Sequence, residues 1–417
     1  MFEIYCSTRN RVRATWSSLQ VTWHEFWSDG GPGRDCFWWL DVMMLIGGIR
    51  SGVPRLKNED YIRYFTNVLF FCEGIVFLLQ LEHSLNTENN DLPVKMWEIV
   101  KFGTWCNTTV KLFLSLLLHE RITVVRNFIT SDRVNSGDHA FDDYEYQKFN
   151  RYVKIMIGLL SSLIVVDIIL LTLPVSSIEE AFASPPQLQK TGKVISGIIH
   201  CITVRFVSLL VHPRCFSNLT SAATLLLGKR AKLRMLSHRF TKLITLSDLS
   251  LDIYFEHMSR ELREALLQQT EYWRFLGVLK GLIAEIFVLV HYFAILTIGA
   301  FFYITTGTGI SFMSFAITTA AIYLLLEYYF LCRLVDSLQD EAEAMAGVIL
   351  ELCTRMPYSR EHHSKYIELR TSFMIILLNI RRGMLMNCFE LFEISTLAFV
   401  ELLNTAYSVL AFLISFG

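Results

Sequence analysis

The stretch 392-FEISTLAFVELLNTAYSVLAFLISF-416 decides how this chain folds. It is long enough to cross a bilayer, which takes about 20 mostly apolar residues, yet it is striped. On a helical wheel Thr396, Val400, Leu403, Tyr407, Leu410 and Ile414 fall along one face, with Glu401, Asn404, Ser408 and Ser415 beside it. A helix surrounded by lipid gains nothing from such a stripe. Two uses remain open. The stripe packs against other spans of the same chain, or it lines an ion path whose apolar positions close by dewetting. One striped helix cannot enclose a pore, so the second use requires several subunits around an axis.

Working outward, six more apolar blocks have the same length: Tyr61–Glu82, Val94–Leu118, Tyr152–Val175, Val194–Leu210, Leu276–Ile304 and Ser311–Leu334. With the last block they predict an all-α membrane protein of seven transmembrane helices. The composition agrees: of 417 residues, 53% are hydrophobic and 18% charged, against about 25% charged in soluble proteins. A soluble enzyme, a nucleic-acid binder and a secreted disulfide scaffold are disfavoured together. A shorter patch, Cys36–Ile49, is broken by Gly47-Gly48 and reads as a partly inserted or re-entrant segment.

The formal net charge of −1 hides a strong asymmetry. Of 38 Lys and Arg, 31 fall in the N-terminal segment and the three links that share its side, and two, Lys190 and Lys193, fall on the other. The positive-inside rule then predicts a cytoplasmic N-terminus and an extracellular C-terminus. That is the reverse of a G-protein-coupled receptor, and the last span has no Asn-Pro-x-x-Tyr. The inner links are long. Leu225–Leu246 reads as a basic amphipathic helix with Leu226, Leu233, Leu236, Phe240 and Leu243 on one face. It is expected either to prolong the fourth span along the anionic leaflet or to pack against another subunit. His257–Tyr272 and Asp336–Leu352 are further helical cytoplasmic stretches.

Nothing in the sequence points to catalysis. There is no Gly-x-x-x-x-Gly-Lys, His-Glu-x-x-His or Gly-x-Ser-x-Gly, and the nine cysteines form no Cys-x-x-Cys or Cys/His cluster. No enzyme activity, metal, cofactor or nucleic-acid partner is expected. Internal repeats are missing and Pro is scarce, the spans holding only Pro174 at an end, which argues against a secondary transporter. The outer loops are too short for a binding domain, so an external ligand must be recognised among the helices. Ionisable groups inside spans are functional candidates because lipid burial is costly: Lys101, Lys111, Asp167, His200, Arg205, Glu285 and Glu327. Asp167 lies in an otherwise apolar half-span and has the best claim to a polar pocket, with Arg205 as a partner by sign.

The run Phe389–Phe416, with Ala406-Tyr407-Ser408 followed by Val409-Leu410-Ala411-Phe412-Leu413, is similar to the final-helix pattern of insect odorant receptors. The resemblance extends over nearly the whole length through span number, inverted topology and short outer loops. The Thr-Tyr and Gln-Phe dipeptides usual in the last span of gustatory receptors are absent. The second inner loop is much shorter than that of the co-receptor Orco. The chain therefore resembles a ligand-tuned odorant receptor subunit.

The resemblance implies one seven-helix domain over residues 1–417, with a cytoplasmic anchor at 212–275 and 333–390 and a pore helix at 392–416. It implies an odorant-gated, non-selective cation channel in the plasma membrane of olfactory sensory neurons, assembled as a tetramer with Orco. Leu410 and Ile414 map to the pore constriction, with Leu413 beside it and Leu403, Asn404 and Tyr407 along the wall. Where the family often carries Trp and Pro before the last span, this chain reads Arg381-Arg382-Gly383-Met384. By depth, the odour pocket maps to Phe102 and Trp105; to Asp167, Ile169 and Thr172; to Ile199 and Thr203; and to Phe315, Thr319 and Ile322. Such a cavity suits a small volatile, and stacking on Phe102 and Trp105 favours an aromatic one. The alternatives are a seven-span receptor coupled to G proteins and a gustatory-type ligand-gated channel.

Overall fold

The structure, a computed structural model, describes residues 36–49, 59–87, 92–172, 182–190, 192–244, 251–308 and 312–416. It is an all-α bundle. The helices are α1 (Cys36–Ile46), α2 (Glu59–Asn86), α3 (Leu92–Thr130), α4 (His139–Thr172), the single turn α5 (Pro186–Gln189), α6 (Lys193–Ile244), α7 (Leu251–Thr308), α8 (Phe312–Arg355) and α9 (His363–Gly383). A hairpin of β1 (Asn387–Cys388) and β2 (Phe392–Glu393) follows, and then α10 (Thr396–Phe416). At 1.5 Å per residue the 58 residues of α7 run about 87 Å, nearly three times the hydrocarbon thickness of a bilayer. The long helices therefore continue well past the apolar layer.

Among the described residues five helices, α2, α4, α7, α8 and α10, are long and apolar enough to cross a bilayer on length and composition alone. The two remaining expected crossings, in α3 and α6, are long but more polar; Val94–Leu118 alone carries Lys95, Glu98, Lys101 and Lys111. Their position explains this. Helix α6 packs against α1, α3, α4, α7 and α8, and α3 against α2, α6 and α7. A helix enclosed by other helices meets little lipid and can carry charge if the charge is paired.

The segment Cys36–Ile49 is a single helix, too short to cross a bilayer, closed by a turn at Gly48 (φ 71°). Its apolar side, Phe37, Leu40, Met43 and Met44, is used up against neighbouring helices, and Asp41 takes Arg126 of α3 at 2.9 Å. Gly is needed at position 48 because a Cβ would lie 2.3 Å from Asn67 Oδ1 and 2.6 Å from the Arg214 guanidinium.

Within the described residues, through Ile244, the basic stretch from Leu225 is the continuation of α6, as the reading of a prolonged fourth span expects. Leu226, Leu233, Leu236, Phe240 and Leu243 are all buried in this chain's own core, not on a face open to another subunit. Its cations have partners within the chain. Arg234 binds Glu341 of α8 at 2.7 Å and Glu145 of α4 at 3.5 Å. Arg239 reaches Glu261 and Glu264 of α7, and Lys232 donates to the Ser131 and Val134 carbonyls after α3. The charges are cross-links.

The last helix begins later than its apolar run. The hairpin pairs Asn387 with Glu393 and Cys388 with Phe392, so three residues connect the strands; Phe389 and Glu390 both have positive φ (48° and 62°), and the Leu391 N–H donates back to the Cys388 carbonyl at 2.9 Å. Phe392 and Glu393 are thus strand residues. The helix starts at Thr396, whose N–H is capped by Asp336 of α8 at 3.1 Å. Lys280 of α7 donates to the Leu385 carbonyl at 2.7 Å, fixing the connection from below α9.

Lys229 of α6 is a buried cation. Its Nζ donates to the Tyr272 carbonyl at 2.8 Å and lies 4.1 Å from the Phe128 ring and 3.7 Å from the Tyr272 ring. Among the described residues it meets no carboxylate. Burial, with a smaller contribution from the like charge of Lys232, pushes its ammonium well below the ordinary lysine range. A lysine depressed in this way lowers stability at every pH below its unfolded value and relieves the cost only as pH rises through its folded value. Lys229→Met keeps the length and removes the charge, so it should raise the stability of the solubilised protein by about 1 kcal/mol or more. Thermal unfolding at pH 7 checks this; a fall in stability would mean that the two rings outweigh desolvation.

Candidate functional site

A cavity of about 180 Å³ lies inside the bundle, towards the α7–α8 turn. Helix α3 supplies Trp97, Lys101, Thr104 and Trp105; α2 supplies Phe77; and α4 supplies Asp167. Phe182 closes it from the segment before α5. Helix α6 contributes Val207, His212, Cys215 and Phe216, and α7 and α8 contribute Phe293, Phe301, Ile317, Tyr323 and Leu324. The wall is mostly apolar and rich in aromatic rings, with a few polar groups, which is how sites for small apolar ligands are built.

Each wall residue has a local reason to be there. Trp105 stacks between Phe70 (ring centroids 5.4 Å) and Phe102 (5.8 Å), and its Nε1 donates to the Phe70 carbonyl at 3.0 Å. It can lie this close to α2 because residue 74 is Gly. A Cβ there would sit 2.1 Å from the indole. Lys101 lies 2.8 Å from the Glu98 carboxylate one turn earlier, with the Phe77 and Phe182 rings 5.5 and 5.3 Å away. Asp167 Oδ2 is 3.5 Å from His212 Nε2, and that imidazole stacks on Phe216 at 6.0 Å.

Beside the cavity is a polar knot. Lys111 Nζ of α3 lies 3.0 Å from Glu327 Oε1 of α8 and donates to the Cys215 carbonyl of α6 at 3.0 Å. Both side chains of the ion pair are 1% exposed. One turn along, Ser115 bonds Asn218, whose Nδ2 donates to the Lys111 carbonyl at 3.0 Å. The pair joins two charges that the sequence marked separately. Glu285, another acidic group of that set, pairs with Arg121 at 2.5 Å.

Of the residues mapped to a pocket by depth, Trp105 and Asp167 line the cavity, and Phe102 stands behind Trp105. Thr203 is buried and bonded to the Ile199 carbonyl at 3.0 Å, away from the cavity wall, as are Ile199 and Thr319. Ile169, Phe315 and Ile322 are 54%, 59% and 48% exposed and turn out of the bundle. The reason is helical phase: two residues rotate a side chain about 200°, so Ile169 faces away from Asp167. The side chains of Thr172 and Arg205 lie outside the described residues. Phe77, Phe182, His212, Phe216 and Tyr323 were missed. For Phe182 and His212 the only signal was their polar–aromatic neighbourhood at span ends.

Helix α10 buries Ala398, Leu402 and Ala406 against the rest of the chain, mainly α7. The contact is close at Gly299, where a Cβ would meet Val409 Cγ1 at 2.7 Å. The opposite side is open. Glu401, Leu403, Asn404, Thr405, Tyr407, Ser408 and Ile414 are exposed, Tyr407 to 71%, while Leu410 and Leu413 are half-buried. The stripe does not pack against other spans of this chain.

An all-α multi-pass membrane protein results, with a one-ring-sized cavity in its interior and a striped helix at its edge. Its fold is that of an insect olfactory receptor. The chain matches olfactory receptor OR5 from Machilis hrabei with a TM-score of 0.67 at 12% identity, covering 90% of this chain and 96% of that one. It matches the structure of that receptor in complex with eugenol with a TM-score of 0.69 at 13% identity, covering 91% and 98%. No protein-family model matches the sequence, and no curated protein does.

The Gly74–Trp105 contact gives a direct test of the wall. Gly74→Ala should drive the indole off α2, break its bond to the Phe70 carbonyl and cost about 1–3 kcal/mol through overpacking. Thermal unfolding measures the cost, and intrinsic tryptophan fluorescence reports the displacement. An unchanged spectrum and melting point would contradict the geometry.

Proposed function

We propose that the chain is a ligand-tuned subunit of an odorant-gated, non-selective cation channel. It crosses the membrane seven times with its N-terminus inside, and it surrounds a pore in a tetramer with Orco in the plasma membrane of olfactory sensory neurons. The observation that carries the reading is the uncovered polar stripe of α10. Glu401, Asn404 and Ser408 are exposed on a helix apolar enough to span the bilayer, and lipid would be a poor solvent for them. Neighbouring subunits around a water-filled axis give that face a use. Leu410 and Ile414 then form the closing constriction, with Leu413, Leu403, Asn404 and Tyr407 along the wall.

The cavity supplies the other half. A neighbouring fold binds eugenol, a small aromatic compound, and the ring-lined cavity of this chain suits a small aromatic odorant. A ligand opens the pore only by binding the open arrangement more tightly than the closed one. Helix α8 connects the two places. Tyr323 and Leu324 line the cavity, and one turn on Tyr328 bonds His291 of α7 at 2.8 Å and meets Phe399 of α10 at 6.2 Å between ring centroids. Tyr329 meets the same ring at 5.3 Å.

Patch recording tests the proposal. Co-expressed with Orco, the chain should give odour-evoked cation currents that persist in excised patches without nucleotides. Leu410→Ser and Ile414→Ser should each raise leak or alter conductance. A response that needs a G-protein cascade, or gate variants that change neither property, would refute the channel reading.

A further inference from the structure

Helix α10 carries one charged side chain, Glu401, and no Lys, Arg or His. Lipid cannot solvate a carboxylate, and the chain gives this one no counter-charge. It is exposed, and among the described residues it makes no ion pair. His291 and Tyr328 feel its charge but bond each other at 2.8 Å. The side of α10 that the chain does cover is Ala398, Leu402 and Ala406. Resting on the channel reading above, we infer that Glu401 is the residue of this chain that makes the path prefer cations to anions.

The geometry separates this task from closing the path. Glu401, Asn404, Ser408 and Ser415 follow one another at three, four and seven residues, so they form one line along the helix, and all four are exposed. The three later members are neutral. Ser408 Oγ donates to the Asn404 carbonyl at 2.9 Å and Ser415 Oγ to the Phe412 carbonyl at 2.6 Å. Such groups wet a wall without distinguishing ions by sign, and Glu401 alone can do so. It stands nine residues before Leu410 and thirteen before Ile414, about 14 and 20 Å along the axis at 1.5 Å per residue. Its charge therefore acts at a different level from the constriction. In water, a carboxylate about 6 Å from a monovalent ion changes the ion's local concentration about threefold, upwards for a cation and downwards for an anion.

The test is the chloride-to-sodium permeability ratio of odour-evoked currents. The full chain is co-expressed with Orco, and the reversal potential is followed as external sodium chloride is replaced by sorbitol. Glu401→Gln keeps the shape and removes the charge, and it should raise the ratio at least about threefold. Glu401→Asp should leave the ratio as in the parent. Glu401→Cys should behave like Glu401→Gln, return towards the parent after a thiol reagent bearing a sulfonate, and move further away after one bearing a trimethylammonium. The parent, given either reagent, should not change. A carboxylate that only holds the helix in place would not follow the sign of the reagent. An unchanged ratio in Glu401→Gln, or a Glu401→Cys ratio indifferent to the reagent's sign, overturns the inference and leaves the channel reading standing. Currents lost in both Glu401→Gln and Glu401→Cys would assign the carboxylate to packing or assembly and overturn it too. A parent chain that gives no odour-evoked current with Orco fails both.

Discussion

A lysine and a glutamate that each expose 1% of the side chain can be tolerated only if they meet, and Lys111 and Glu327 meet at 3.0 Å across α3 and α8. With the Cys215 carbonyl of α6 as a third partner, this contact fixes three helices at one level. Those same helices carry most of the cavity wall. Removing either charge leaves the other stranded in a medium that cannot solvate it, a loss of about 3–5 kcal/mol. Replacing both with apolar side chains avoids that cost, so the pair does more to specify how α3, α6 and α8 align than to stabilise the fold. The cavity's dimensions follow from that alignment, as does the phase at which α8 presents Tyr328 to α10.

The other organising constraint is what α10 leaves uncovered. Its small residues Ala398 and Ala406, and Gly299 opposite, let the helix approach α7 closely. Its polar stripe consequently faces outward. Asp336 at its N-terminus, Lys280 beneath the preceding hairpin and Phe399 against Tyr328 and Tyr329 tie its N-terminal half to α7 and α8. The helix is thus anchored at one end and exposed along one face. That is the arrangement a pore-lining element of an oligomer needs, and it offers α8 a direct mechanical route from the cavity.

Much of the fold was legible because lipid imposes a length and an apolarity that are visible residue by residue. Partners were not. Lys111 and Glu327 are 216 positions apart, and a helical wheel gives a face but no neighbour. The leucine stripe of Leu225–Leu246 was plain, yet only the packed bundle reveals that its counterpart is the same chain. The start of α10 was misplaced because Phe389 and Glu390 adopt left-handed conformations without the Gly or Asn that announces such turns. At the cavity, depth along a span selected Trp105 and Asp167 but also Ile169 and Phe315, since depth does not carry the rotational phase that sends a side chain inward or out. His212 lay beyond the apolar run that defined its span and so escaped notice.

The central claim, that a ligand in the cavity opens a water-filled path along α10, is most directly tested at Ile414. A Cys there, in the chain co-expressed with Orco, should be inaccessible to a membrane-impermeant thiol reagent applied outside at rest. During odour application it should react, and the current should fall and stay reduced after washing. The parent chain, treated identically, should keep its current. Full current after reagent and odour are applied together, or equal modification with and without odour, would contradict the account.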